Sequence, residues 1–270
     1  MSTQPSPRTA RRSAVLVAAL AALLGLALAA CGGSGSSDQA QQDPPKTLTV
    51  SAAASLTEVY QGLAQQFQAA NPGVTVKFNF GGSDQLAQQV VQGAPADVLA
   101  TASTKTMQTA VQAGKIQGEP VVYATNKLQI AVAPNNPKQV AQLADLTKPG
   151  VTSVVCAPAV PCGAAAVAAE KAANVTLKPV SEEQDVKGVL TRVETGNADG
   201  GLVYVTDVKS AAGKVTGVDF PQASAQGVTQ SYPIGVVTGS ADPQLAQSWV
   251  SFVTGPQGKA ALQQAGFTTK

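Results

Sequence analysis

The chain has 270 residues and 27.1 kDa, 44% of them apolar and 13% charged, enough to bury a core in one large body or two smaller lobes. It contains no histidine, which excludes Ser-His-Asp and Cys-His catalysis, His-ligated zinc and haem held by His. Its three cysteines are too few for a four-thiolate metal site. Setting aside Arg8, Arg11 and Arg12 leaves 15 basic against 16 acidic residues, which provides little material for a nucleic-acid-binding face.

Those three arginines precede an unbroken apolar run from Ala14 to Ala30, which ends in Leu28-Ala29-Ala30-Cys31. A basic start, a short apolar stretch and small residues at its end are the pattern of a secretory signal over residues 1–30. The L-A-A-C ending resembles the bacterial lipoprotein signal, in which the cysteine becomes the lipidated first residue. Cys31 is therefore the expected lipid anchor, and residues 31–46, rich in Gly, Ser, Gln, Asp and Pro, are expected to form a flexible tether. The alternative is an uncleaved membrane anchor with Cys31 incidental. No later apolar run is long enough to span a bilayer.

From Lys46 onward, strand-like runs alternate with helical stripes. Leu48–Ala53 reads as a strand, and Leu56, Tyr60, Leu63 and Phe67 as one face of a helix closing at Asn71-Pro72-Gly73. Val74–Phe80 alternates as a strand, Leu86, Val90 and Val91 mark a helix, and Pro95–Ala100 reads as a buried strand before a helix through Met107 and Val111. Leu128–Ala133, Val151–Cys156 and Gly201–Val205 are further strands, with helices over Ala164–Ala173 and along Val186, Val189, Leu190 and Val193. The repeated strand–helix–strand order predicts an α/β fold of mostly parallel sheets flanked by helices. Tyr123–Ala133 and Tyr232–Val237 look like crossings between two lobes. Residues 47–125 and 236–270 would form lobe I and residues 126–235 lobe II, with a last helix capped by Asp242-Pro243 and striped by Leu245, Trp249 and Phe252. A cleft between two such lobes collects strand ends and helix N-termini.

Four loops place a small hydroxyl residue or free backbone N–H groups just before a helix. They are Ala53-Ala54-Ser55-Leu56, Gly81-Gly82-Ser83, Val160-Pro161-Cys162-Gly163 and Gln184-Asp185-Val186. Each alone is most simply a helix cap; Ser55 and Glu58 even have capping-box spacing. Together they supply several helix N-termini with spare donors, which is a site for an anion.

With these loops in view, A-A-A-S-L-T at 52–57, G-A-P-A-D-V at 93–98, V-P-C-G at 160–163, D-V-K-G-V-L at 185–190 and G-L-V-Y-V-T-D at 201–207 resemble the periplasmic molybdate-binding proteins (ModA) of ABC importers, in order and over nearly the whole folded body. The resemblance implies a two-lobed type II periplasmic-binding-protein fold. It also implies a dehydrated tetrahedral dianion, molybdate or tungstate, held by hydroxyls and backbone N–H groups without a cationic side chain. Position by position, Ser55 and Ser83 would give hydroxyl and backbone N–H, Cys162 and Val186 backbone N–H, and Tyr204 its phenol. Cys162 stands where the family often has alanine. The implied partners are the oxyanion, an ABC permease and the membrane through lipid on Cys31. The protein would act as an extracytoplasmic monomer with no enzymatic activity, no resident cofactor, no direct protein ligands to a metal and no nucleic-acid partner.

A donor-only site suits an anion that only accepts, while hydrogen phosphate would set its own O–H against a donor. Sulfate has the same charge and shape, so its exclusion must come from cavity size. Three alternatives remain open: a receptor for another small oxyanion such as sulfate, a secreted hydrolase using Ser55 or Ser83 with Lys105 or Lys127, and a purely structural lipoprotein in which the set of donor loops is accidental. Cys156 and Cys162 flank a short loop stiffened by Pro158 and Pro161 in a chain marked for export, which predicts a disulfide between them.

Overall fold

A computed structural model describes residues 44–221 and 227–270. The signal segment, Cys31 and all but the end of the tether lie outside those residues. Among the described residues no helix is long and apolar enough to cross a membrane.

Lys46, assigned above to the tether, already begins strand β1 (Lys46–Ala53). A 3-10 turn, Ala54–Leu56, follows, then α1 (Thr57–Ala70), β2 (Val74–Gly81), α2 (Ser83–Val91), β3 (Val98–Ala100) and α3 (Thr104–Gln112). β1 lies between β2 and β3, parallel to both. The long β4 (Ile116–Val132) then leaves this region. Beyond it come β5 (Ser153–Cys156), α4 (Pro161–Ala173), β6 (Ser181–Glu183), α5 (Val186–Glu194), β7 (Gly200–Tyr204), the short α6 (Val205–Ser210) and β8 (Thr216–Val218). β5 pairs parallel with β6 and β7. β9 (Thr229–Val237) returns to the first region, where α7 (Pro243–Thr254), α8 (Pro256–Ala265) and β10 (Thr268–Thr269) complete the chain.

Parallel pairing holds within each group of β-α-β units. The strands joining the groups are antiparallel: β4 pairs with β9 over Ile116–Lys127, and its far end, Leu128–Val132, pairs with β7 and β8. β3 pairs antiparallel with β9. β4 thus belongs to both sheets. Its seventeen residues stay extended despite Gly118 and Pro120, because the register against β9 shifts between Gln117 and Val121 and absorbs them.

Buried apolar side chains collect on either side of this shared strand. One core runs from Leu128 to Val228 and contains the inward faces of β5, β7, α4 and α5. On the other side, Trp249 of α7 is fully buried and meets Tyr60 and Phe67 of α1 edge-on, with ring centroids 5.6 and 5.3 Å apart. This stripe-to-stripe contact puts the C-terminal helices on the first sheet. α7 starts where expected, since Asp242 Oδ1 accepts the Leu245 N–H at 3.0 Å. Asp97, in the loop before β3, fixes the same corner: its carboxylate accepts from Thr49 N–H, Ser240 Oγ–H and Ala241 N–H at 2.7, 2.6 and 3.1 Å.

Candidate functional site

Five chain segments converge on one small cavity. Ser55 sits in the 3-10 turn after β1, and Ser83 is the first residue of α2, following Gly82. Cys162 lies in the first turn of α4 behind Pro161, and Val186 opens α5. Tyr204 ends β7. The structure brings all five residues to one cavity of about 20 Å³, with Gly82, Val160 and Asp185 also in its wall. A cavity of this size holds one or two waters or a small ion and is too small for a sugar or peptide.

Local sequence explains the shape of the wall. Ser55 does not cap α1, and the capping-box reading of Ser55 and Glu58 fails. Thr57 Oγ1–H instead donates to Ala54 O at 2.7 Å, and Ser55 Oγ turns to Tyr232 Oη, 2.8 Å away. Ser83 is likewise not a cap: its Oγ accepts the Ala102 N–H at 3.0 Å, which leaves its own hydrogen to point elsewhere. Asp185 is the true cap of α5. Its Oδ1 takes the N–H groups of Lys187 and Gly188 at 2.8 and 3.0 Å and leaves the Val186 N–H to the cavity side. A disulfide joins Cys156, at the end of β5, to Cys162, with Cα atoms 5.7 Å apart. It ties the first turn of α4 to the strand. Gly163 is required beside it, because a Cβ there would lie 1.9 Å from Ala157 O.

The wall carries donors and no positive side chain. Asp185 is its one charged residue, and the helix it caps engages its carboxylate. Among the described residues no lysine or arginine lines the cavity, and no group of His, Cys, Asp or Glu could hold a metal ion. The Tyr204 hydroxyl is fully buried and has no hydrogen-bond partner among the described residues. An orphaned buried hydroxyl costs on the order of 1–3 kcal/mol unless something accepts from it. Burial, with Tyr232 and Asp207 nearby, pushes its pKa well up, so it stays a neutral donor.

Beside the cavity the two sides are bound directly. Lys187 Nζ reaches Glu58 of α1 at 2.8 Å and Asp207 of α6 at 3.1 Å. Asp207 is fully buried, and its other oxygen accepts the Tyr204 N–H at 2.9 Å. Burial raises the Asp207 pKa, with Lys187 opposing that rise. Burial pulls the Lys187 ammonium down, but Asp207 and Glu58 outweigh it and hold the pKa above its ordinary value. Gln85 Nε2 donates to Gln184 Oε1 at 3.1 Å, and a Cβ on Gly82 would come within 2.4 Å of Gln184 O.

Residues 48–268 match the family of bacterial extracellular solute-binding proteins. The molybdate-binding protein ModA of Mycobacterium tuberculosis is 45% identical over 250 residues, covering 92% of this chain and 95% of that protein. This chain belongs to the ModA family. The Escherichia coli member is 32% identical, covering 83% of this chain and 89% of its own length. Among solved structures, the periplasmic molybdate-binding protein of Azotobacter vinelandii superposes with a TM-score of 0.74 at 22% identity, covering 82% of this chain and 98% of that one. The sulfate-binding protein SubI of Mycobacterium tuberculosis superposes with 0.70 at 20% identity, covering 82% and 86%. These likenesses establish the type II binding-protein fold, which a ModA family member shares with receptors for other oxyanions.

Sequence reasoning missed two residues that matter here. Asp185 reads from sequence only as part of a loop, although in D-V-K-G its carboxylate accepts the N–H groups of the third and fourth residues, as a cap does. Tyr232 reads from sequence only as part of a crossing strand, because its contact with Ser55 spans 177 positions.

Proposed function

We propose that this chain is the extracytoplasmic receptor of an ABC importer, capturing molybdate and tungstate and handing them to a membrane permease. The observation that carries the reading is the convergence of Ser55, Ser83, Cys162, Val186 and Tyr204 on one small cavity lined by donors and free of cations, with an unpartnered tyrosine hydroxyl in its wall. A fully ionised tetrahedral oxyanion offers only acceptors and would satisfy that wall. Its charge would be met by helix N-termini in place of counter-ions. The M. tuberculosis and E. coli relatives named as molybdate-binding support the same cargo.

The anion would contact both lobes and so favour their closed arrangement. The reading is of binding without turnover: Ser55 Oγ faces the Tyr232 phenol and not a base, and no lysine lines the cavity, so the Ser-Lys hydrolase has no support here. The polypeptide would act as a monomer, held at the membrane by lipid on Cys31.

Calorimetry of the purified soluble body tests the cargo. Molybdate and tungstate are expected to bind with comparable strength and at least about a hundredfold more tightly than sulfate, a difference of about 2.7 kcal/mol. A sulfate affinity equal to that of molybdate would make this a sulfate receptor, the second reading, which is favoured by the SubI fold likeness.

A further inference from the structure

Ser83 and Val186 reach the cavity from different cores. α2 packs through Leu86, Ala87 and Val90 with β3 and α3, whereas α5 packs through Val189, Leu190 and Val193 with β5 and β7. Two residues after Ser83 stands Gln85, and two before Val186 stands Gln184. Their side chains meet: Gln85 Nε2 donates to Gln184 Oε1 at 3.1 Å, between positions 99 apart in the chain. The Gln184 main chain is close as well, since its carbonyl oxygen lies 2.4 Å from where a Cβ on Gly82 would stand. Gln184 is therefore set against the start of α2 through both its backbone and its side chain. Both glutamines are exposed, and neither lines the cavity. Neither is a helix cap, because Gly82 holds that position for α2 and Asp185 for α5. Their bond serves the fold of neither side alone and exists only while the two are together.

We infer that Gln85 and Gln184 are positioning residues for the captured ion: they clasp the starts of α2 and α5 together and set the rate at which the ion leaves. An ion held between the two sides leaves only when they part, and parting breaks the clasp. Entry comes before the clasp forms, so the rate of capture does not depend on it and its loss is read in release. The next link along α5 is of another kind. Lys187, one residue beyond Val186, reaches Glu58 of α1 as an ion pair, which salt weakens. An amide–amide bond joins two neutral groups, and salt leaves it in place.

The assignment rests on the oxyanion reading above, and its test separates the two. The soluble body is loaded with radiolabelled molybdate and chased with excess unlabelled molybdate, at low and high salt. Wild type is compared with Gln85→Ala, Gln184→Ala and the double variant. Either single change should speed release about fivefold, or about 1 kcal/mol for one exposed neutral hydrogen bond, at both salt concentrations. The double variant should be no faster than either single one, because all three lack the same bond. The association rate, obtained from the release rate and the calorimetric Kd, should stay within about twofold of wild type. Alanine is the better helix former at Gln85, and Gln184 is an exposed loop residue, so the melting temperature of the ligand-free protein should not move. Release as slow as wild type in both single variants overturns the assignment. So do single effects that multiply in the double variant, or a loss that appears in association. A wild-type chain that retains no molybdate leaves no release to time and overturns the functional reading, a result distinguishable from the others.

Discussion

Gly82 shows how much the site depends on a missing side chain. Its position would put a Cβ 2.4 Å from Gln184 O, on the loop that leads into α5, and 3.5 Å from a Val160 methyl group. On its own side that methyl group meets the Asp84 carboxylate at 3.0 Å, a side chain that can swing away, whereas the backbone collision with Gln184 lies across the cavity and obstructs the approach of the two sides. Gly82→Ala is therefore expected to weaken oxyanion binding by at least about tenfold, or about 1.4 kcal/mol, with the melting temperature of the ligand-free protein unchanged. Calorimetry beside a thermal melt checks both halves. At this scale the sequence was informative wherever function uses the backbone near a helix start: Ser55, Ser83, Cys162 and Val186 could be found from local spacing. It was silent about long-range hydrogen-bond partners. Ser55 looks like a cap because Glu58 follows it by three residues, yet Glu58 is drawn to Lys187 and Ser55 to Tyr232, partners that only the tertiary fold supplies.

At the scale of elements, α4 is the most constrained entry to the site. It begins at Pro161 and not at Ala164, because proline is already in helical φ and needs no N–H partner, and its first turn is bonded to the end of β5 through Cys156–Cys162. Closing so short a loop stabilises by about 2 kcal/mol in the chain-entropy account. It also holds the Cys162 N–H in place before any ligand arrives. Replacing both cysteines by serine should lower unfolding free energy by about that amount and weaken molybdate binding several-fold in a chain that still folds; denaturant melts and calorimetry read the two effects. Most strands and amphipathic helices of the body were legible from periodicity, because each buries one face against a sheet. The six-residue α6 is too short to show a period, and α8, with Leu262 as its main buried apolar side chain, shows almost none. The true length of β4 was hidden by Gly118 and Pro120, which read as a break but sit at an irregular register.

For the whole molecule, the contact of Lys187 with Glu58 of α1 and Asp207 of α6 is an ion pair with unequal ends. Glu58 is about half exposed at 53%, while Asp207, the other partner of Lys187, is at 0%. The Lys187–Asp207 bond therefore belongs to the interior of one side, and Glu58 is the removable link between sides. Glu58→Gln should reduce oxyanion affinity by no more than about fivefold, within the ~1 kcal/mol typical of a solvent-facing pair, and the difference from wild type should shrink as salt is raised. Titrations at low and high ionic strength measure it. A variant as tight as wild type at low salt would show that the link adds nothing to closure.

A wall of oriented dipoles without a fixed counter-charge has a bearing on how cargo would leave. Dipole attraction decays steeply with distance, so a small parting of the walls ends the grip and water takes over every acceptor the ion exposes. Discharge would then need no proton, nucleotide or chemical change at the pocket itself, only a partner able to prise the halves open.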